Sequence, residues 1–210
     1  MLAVVETVVI QDTRRKLLHA GGEVFAERGF HKATVREITE RAGVNVAAIN
    51  YHFRDKAELY RAVLNECHCT AQANGGPIEL GGGTPEERLR HFIDGLLHRL
   101  LHPGRPKWQG LLMAREMTEP TDALDILVEE SMRPRARELQ QIIKELTGGK
   151  LSQDREWMIC FSVVSQCLFY LHDRPLIERL YPKLATQPPT IEELVEHICS
   201  FSLAAIRAAQ

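Results

Sequence analysis

Apolar side chains return at Leu17, Leu18, Ala20, Val24 and Phe25, the three-to-four spacing of one helix face. This spacing predicts a first helix from about Asp12 or Thr13 to Arg28, stopped by Gly29, with Phe30 folding back on the last turn. Gly21 and Gly22 inside it each cost about 1 kcal/mol relative to alanine, so another helix is expected to approach closely there. Thr34, with Glu37 three residues on, has capping-box spacing and opens a second helix whose inner face is Val35, Ile38 and Ala42. Gly43 permits a sharp turn and Val44 plugs it. A third helix covers about Asn45 to His52, with Ile49 inward. Asp55 and Glu58 repeat the capping spacing and start a fourth helix reaching about Ala73.

Five glycines and Pro77 between Asn74 and Gly83 end that helix. Thr84-Pro85-Glu86-Glu87 then combines an N-cap, a first-turn proline and a capping glutamate. Leu89, Phe92, Ile93, Leu96, Leu97, Leu100 and Leu101 continue one helical face, and Pro103 to Pro106 reads as a loop. Further helices are expected over Trp108 to Met117, over Thr121 to about Leu146 with a kink near Pro134, over Ser152 to Leu171, and in a short piece from Leu176 to Tyr181. Thr190 and Glu193 cap a last helix running to about Ala208. No convincing pair of strands appears. The fold class is all-α: an N-terminal three-helix helix-turn-helix domain at 12–58, preceded by an extension at 1–11, plus a larger helical C-terminal domain at 59–210.

Residues 34–56 carry most of the chemistry. Two short helices joined at Gly43-Val44, the second ending in Asn50, Tyr51 and His52, have the pattern of a helix-turn-helix that enters the major groove of DNA. The net charge of −2 alone argues against nucleic acid. Its distribution reverses that impression: residues 12–61 carry ten Lys or Arg against seven Asp or Glu, the remainder sixteen against twenty-one. A basic reading head on an acidic body is expected.

Hydrophobic content of 44% with 26% charge suits a water-soluble globular chain of 210 residues. No run approaches the roughly 20 apolar residues that span a bilayer. The apolar start, Met1 to Ile10, is interrupted by Glu6 and has no basic flank, so no membrane association is expected and the simplest location is the cytoplasm. Cys67, Cys69, Cys160, Cys167 and Cys199 form no disulfide framework by spacing and are expected as free thiols.

Phe25-Ala26-Glu27-Arg28-Gly29-Phe30, Thr34-Val35-Arg36-Glu37-Ile38, Ala42-Gly43-Val44 and Tyr51-His52-Phe53 with Lys56 together resemble the TetR family of transcriptional repressors. Ala114-Arg115-Glu116 followed by Glu119-Pro120-Thr121 is similar to the CecR-like subgroup. The resemblance implies a dimer that blocks promoters and leaves DNA when a small-molecule effector fills the C-terminal domain. By the same alignment Val46, Ala47 and Asn50 stand where the family reads base edges. Thr34, Arg36, Tyr51, His52 and Lys56 are then the candidates for phosphate contact.

These roles compete with plainer ones. Asn50 is able to bond an adenine in bidentate fashion, or is a solvated polar residue on an exposed helix. Asn45 is expected to cap its helix rather than read a base. Thr34 serves equally well as a cap and a phosphate donor, Arg36 is either a phosphate ligand or a lone surface charge, and Phe53 is expected to pack under the turn. One head neutralises few phosphates, so function requires two heads about 34–36 Å apart on a near-palindrome, and hence a homodimer.

Trp157, Phe161, Val164 and Leu168 lie in a helix apolar nearly all round, too much surface for one partner to bury. Together with Leu194, Ile198 and Phe201 of the last helix they are the expected two-fold interface. Phe92, Leu96, Trp108, Met113, Met117 and Phe169 either line an effector cavity or are simply core. Arg115, on an apolar helix face, either clamps an acidic effector group or pairs internally with Glu116 or Glu119. His91, His98 and His102 share a stripe, but no acidic third ligand accompanies them, and Cys67-His68-Cys69 is too tight to chelate from one helix; no metal and no cofactor are expected. A metal- or thiol-responsive DNA-binding sensor is the alternative. Nothing resembles a nucleophile elbow, a phosphate loop or a paired-carboxylate site, and an enzyme is not expected.

Overall fold

The computed structural model describes the backbone of residues 2–75 and 82–209 and the side chains of residues 11–67 and 82–209. Much of the glycine-rich break, and the side chains of His68 and Cys69, lie outside the described residues. Among the described residues there are twelve α-helices and no strand. It divides into two compact units, Met1–Cys69 with Pro106–Val128, and Thr70–Arg105 with Glu129–Gln210.

The first unit is built from α1 (Leu2–Lys32), α2 (Val35–Ala42), α3 (Ala47–Phe53), the larger part of α4 (Lys56–Gly75), α6 (Lys107–Thr118) and α7 (Asp122–Leu127). Helix α1 starts ten residues before the expected Asp12, and Gly29 breaks its regularity at φ 75°, ψ 166°. The glycine stop is thus real, and Phe30 turns back to stack 5.0 Å from Tyr60. Arg41 of α2 grips Glu27 of α1 through two bonds of 2.8 and 2.9 Å, and Arg28 reaches Glu37 at 3.4 Å.

Leu17, Val24, Phe25, Ile38, Ile49 and Leu59 are fully buried in the core of this unit. Two findings differ from the boundary expected at residue 58. Leu59, Tyr60, Val63, Leu64 and Cys67 bury themselves with α1, and so do Trp108 and Leu112 from far along the chain. The paired glycines explain the approach: Gly21 lies against Val63 and Leu59, and Gly22 against the Trp108 ring.

The second unit contains α5 (Pro85–Leu101), α8 (Arg133–Leu146), α9 (Gln153–His172), α10 (Arg174–Leu180), the short α11 (Lys183–Thr186) and α12 (Ile191–Ala208). Both expected capping boxes are complete, Thr84 with Glu87 and Thr190 with Glu193. Helix α5 is central, touching α8, α9 and α12. Leu89, Ile93, Leu97, Leu139, Val163 and Ile198 fill the core. The kink expected near Pro134 is a π-helical turn at Val128–Met132, after which α8 begins with the proline in its first turn. Proline lacks an N–H and its ring crowds the carbonyl one turn back, so the preceding turn widens.

Candidate nucleic-acid interface

Thr34 stands at the N-cap of α2, its hydroxyl accepting from the Glu37 N–H at 3.1 Å. Glu37 answers Arg28 instead of completing the box. At the other end Gly43 adopts left-handed φ 65°, ψ 35°, and the N–H groups of Gly43 and Val44 close on Glu40 and Thr39 carbonyls. Only a residue without a Cβ takes that conformation at no cost, so this turn sets the angle between α2 and α3. Asn45 caps α3, its Oδ1 accepting from the Ala47 N–H at 2.8 Å.

Helix α3 anchors itself through Ile49 and Phe53, both buried. Its opposite face leaves Val46, Ala47 and Asn50 exposed, with Tyr51 71% exposed beside them. Base-edge candidates are therefore contiguous, and Asn50 is free of any hydrogen bond among the described contacts that would hold it away from DNA.

The phosphate candidates are less uniform. Thr34 and Tyr51 are exposed, whereas His52 is half-buried against Tyr51 and Phe53. Burial, and then the charge of Arg14, lower the His52 pKa. Arg36 is already paired with Glu40 at 2.7 Å. The Lys56 ammonium donates to the Phe30 and Ala33 carbonyls at 2.9 and 3.0 Å and lies 4.6 Å from the centre of the Phe30 ring. Two of its three donors thus tie α4 to the end of α1, which leaves one for a phosphate.

Sequence reasoning missed Arg14. Its guanidinium lies 5.2 Å over the Phe53 ring, beside His52, and adds a cation to the edge of the head. No local pattern marks it, since α1 brings it there only by tertiary packing.

The seven residues expected to line an effector cavity do not share one core. Trp108, Met113, Arg115 and Met117 belong to the first unit, Phe92, Leu96 and Phe169 to the second. Trp108 and Phe92 are buried in separate cores, Met113 and Leu96 pack on those cores, and Met117 and Phe169 are exposed. Apolar identity marked six of the seven, but it does not say which core each joins. Arg115 pairs with Glu119 at 3.3 Å and lies against Gly29, the internal alternative. Glu116, fully buried, instead accepts from the Tyr60 hydroxyl at 2.5 Å and from the Thr121 N–H and hydroxyl at 2.9 and 2.8 Å.

Of the expected interface residues, Leu194 and Ile198 are buried in the second unit's own core and cannot meet a partner. Helical geometry turns them inward while Phe201, three residues on from Ile198, points out. Phe161 and Phe201 are 63% and 61% exposed, and Trp157, Val164 and Leu168 are half-buried. An open groove of about 320 Å³ runs beside them, lined by Ser165, Gln166, Phe169, Tyr170, His197 and Ile198.

Among the described residues no three of His, Cys, Asp or Glu gather as a metal site. His98 faces Asp94 and His102 accepts from the Gly104 N–H. Burial pushes the Cys160 and Cys167 thiols up to about 12, far from the thiolate that redox or metal chemistry needs. No described helix is long and apolar enough to cross a membrane.

Residues 85–206 match the family described as "HTH-type transcriptional dual regulator CecR, C-terminal domain", and residues 17–63 match "Bacterial regulatory proteins, tetR family". The chain belongs to the TetR family. Both matched families are described as transcriptional or regulatory proteins. Within the family it is similar to the transcriptional activator FasR of Mycolicibacterium smegmatis, 36% identical over 123 residues that cover 56% of this chain and 54% of FasR. It is also similar to the regulator BetI of Escherichia coli, 36% identical over 39% of this chain and 43% of BetI. The chain thus spans about half the length of these curated relatives, or less. Its fold is that of HlyIIR, matched by a crystal structure of a linker-substituted mutant with a TM-score of 0.66 at 22% identity, over 91% of this chain and 97% of that one. A TetR-like regulator from Rhodococcus sp. RHA1 shares it too, with a TM-score of 0.60 at 17% identity, over 93% and 96%.

Proposed function

We propose that this TetR-family regulator acts as a homodimer on a near-palindromic operator and leaves it when a small-molecule effector occupies the C-terminal unit. The observation that carries the reading is the exposed row Val46, Ala47 and Asn50 on α3, held by a buried Ile49 and Phe53. Asn50 reads an adenine, Val46 and Ala47 contact or exclude a thymine methyl, and Thr34, Arg36, Tyr51, His52 and Lys56 hold phosphates.

A single seven-residue helix buries little and neutralises few phosphates, so two heads act together. The exposed aromatic pair Phe161 and Phe201 on α9 and α12 supports a self-complementary two-fold interface, with Trp157, Val164 and Leu168 flanking it. Effector binding acts on the head through α4, which begins at Lys56, three residues after the recognition helix ends at Phe53, and continues into the second unit. Differential affinity for two head spacings is the coupling, about 1–3 kcal/mol in systems of this type. Repression follows where the operator overlaps a promoter. The relatives' names include an activator as well as regulators, so operator position sets the sign.

The test is selection of bound duplexes from a randomised pool, followed by the same selection with Asn50→Ala. Two half-sites about 34–36 Å apart are expected, with preference relaxed at one position of each by roughly 1–3 kcal/mol in the variant. Unchanged preference in Asn50→Ala overturns the reading head.

A further inference from the structure

Among the described residues, every exposed large apolar side chain of the second unit falls on the stretch from α9 to α12. Met158, Phe161 and Phe169 stand on α9, Leu176 and Leu180 on α10, Tyr181 at the α10 C-cap and Phe201 on α12. Helix α10 packs on α9 and α11, with Ile177 half-buried. Leu176 and Leu180, four residues apart, share an outward side, and Leu180 is 73% exposed. A seven-residue helix is too short to hold itself together in water and draws its stability from what its apolar side meets. The leucine pair of α10 meets solvent instead.

This surface is continuous with the α9–α12 face. Phe169 and Tyr170 line the groove that also holds His197, whose ring lies 6.4 Å from that of Phe201, and α10 begins four residues after Tyr170. At roughly 200 Å² for a fully exposed large side chain, the four on α9 and α12 offer about 450 Å² of apolar surface, and the three on α10 and its cap about 350 Å² more. A permanent homodimer buries about 1,000 Å² or more from each partner, about 65% of it apolar. The α9–α12 face alone falls short of that, and the whole stretch reaches it. We propose that α10, through Leu176, Leu180 and Tyr181, is an arm that closes on a second copy of this chain and enlarges the two-fold interface beyond α9 and α12. This rests on the homodimer reading and adds a surface that reading did not use.

The test is sedimentation equilibrium on the full chain and on the double variant Leu176→Glu with Leu180→Glu, which exchanges one good helix former for another on an exposed side. The dimer dissociation constant rises at least tenfold, while circular dichroism shows unchanged helix content. Leu111→Glu, at an exposed leucine of the first unit, leaves the constant where it was. Hydrogen exchange of the wild type gives a check that needs no variant: α10 amides gain protection as protein concentration crosses the dissociation constant. The arm is overturned if the double variant dimerises within twofold of the wild type, or if Leu111→Glu weakens the dimer as much. It is also overturned if α10 protection does not depend on concentration, because the leucines are then covered within one chain or not at all. A dimeric wild type with an unaffected double variant leaves the homodimer reading in place without the arm. A wild type that stays monomeric at every concentration sinks that reading, and the arm with it.

Discussion

A Cβ placed on Gly22 would stand 2.5 Å from Cε3 and Cη2 of Trp108, so the indole of α6 sits directly on the backbone of α1. His19, one turn earlier, meets the same ring edge-on at 6.0 Å. Glycine to alanine within a helix ordinarily stabilises by up to about 1 kcal/mol. Here the sign reverses, because a rigid ring and not a flexible chain end would have to move. Gly22→Ala is expected to destabilise by about 1–3 kcal/mol, read as a lower urea midpoint with unchanged slope. Trp108→Leu added to it should recover part of the loss, whereas a raised midpoint for Gly22→Ala alone would refute this contact.

Tyr60 and Glu116 form the second fastening of α6 and α7 to the head. Glu116 is fully buried, and its two oxygens take three donors, one from α4 and two from Thr121 at the start of α7. Burial, and then the hydrogen bond to Glu116, raise the Tyr60 pKa, so the phenol stays a donor. Tyr60→Phe leaves a carboxylate oxygen buried without that donor and should cost about 1–3 kcal/mol. In a double-mutant cycle with Glu116→Gln, the two losses should fall short of additivity. Strict additivity would mean that the pair is not coupled.

These two contacts show where the sequence was readable. Capping at Thr34, Thr84 and Thr190 is local chemistry, encoded within four residues, and each marks a real helix start. The exposed row on α3 was equally legible, because Ile49 and Phe53 fix which side of a short helix faces in. Division into units was not, since nothing near Trp108 says that its ring will be received by Gly22 rather than by the helices next to it in sequence. Lys56 shows the same limit within the site. Its position was visible, while its use in holding the Phe30 and Ala33 carbonyls depends on residues more than twenty positions away. Arg99 lay in plain view on the apolar stripe of α5, yet the burial of its Nη1 without a hydrogen bond is visible only in three dimensions.

Between the recognition helix and α4 the chain turns through Arg54 at φ 65°, ψ −49°, with the Asp55 N–H donating to the Phe53 carbonyl at 2.7 Å. This is a three-residue turn of the strained hand, in a region that residues with a Cβ rarely enter. The Arg54 side chain is exposed, and its contacts to Asp55 and Glu58 at 3.7 Å are weak compensation. Arg54→Gly should therefore stabilise by about 1 kcal/mol despite the added freedom of the unfolded chain, whereas Arg54→Ala should be nearly neutral. Equal midpoints for the glycine and alanine variants would show that this turn stores no strain.

If His52 holds a phosphate as proposed, DNA binding is expected to depend on pH. Burial first, and Arg14 second, lower its pKa from 6.5, so the folded protein holds this proton less tightly than the unfolded chain does. Its contribution to stability is intact above pH 6.5 and is lost progressively as pH falls below it toward the lowered folded value. A bound phosphate acts in the opposite direction, favouring the imidazolium. Protonation is then linked to binding, and operator affinity at constant salt should rise as pH falls from about 8 to about 6. His52→Gln keeps a donor but cannot titrate, so its affinity should vary less over that interval, and its stability should fall less in mild acid. Fluorescence anisotropy with a labelled operator at several pH values, paired with thermal melts at the same values, measures both slopes. If wild type and His52→Gln show the same pH slope of affinity, the imidazole does not touch a phosphate, and the cationic edge of the head is left to Arg14 and Lys56.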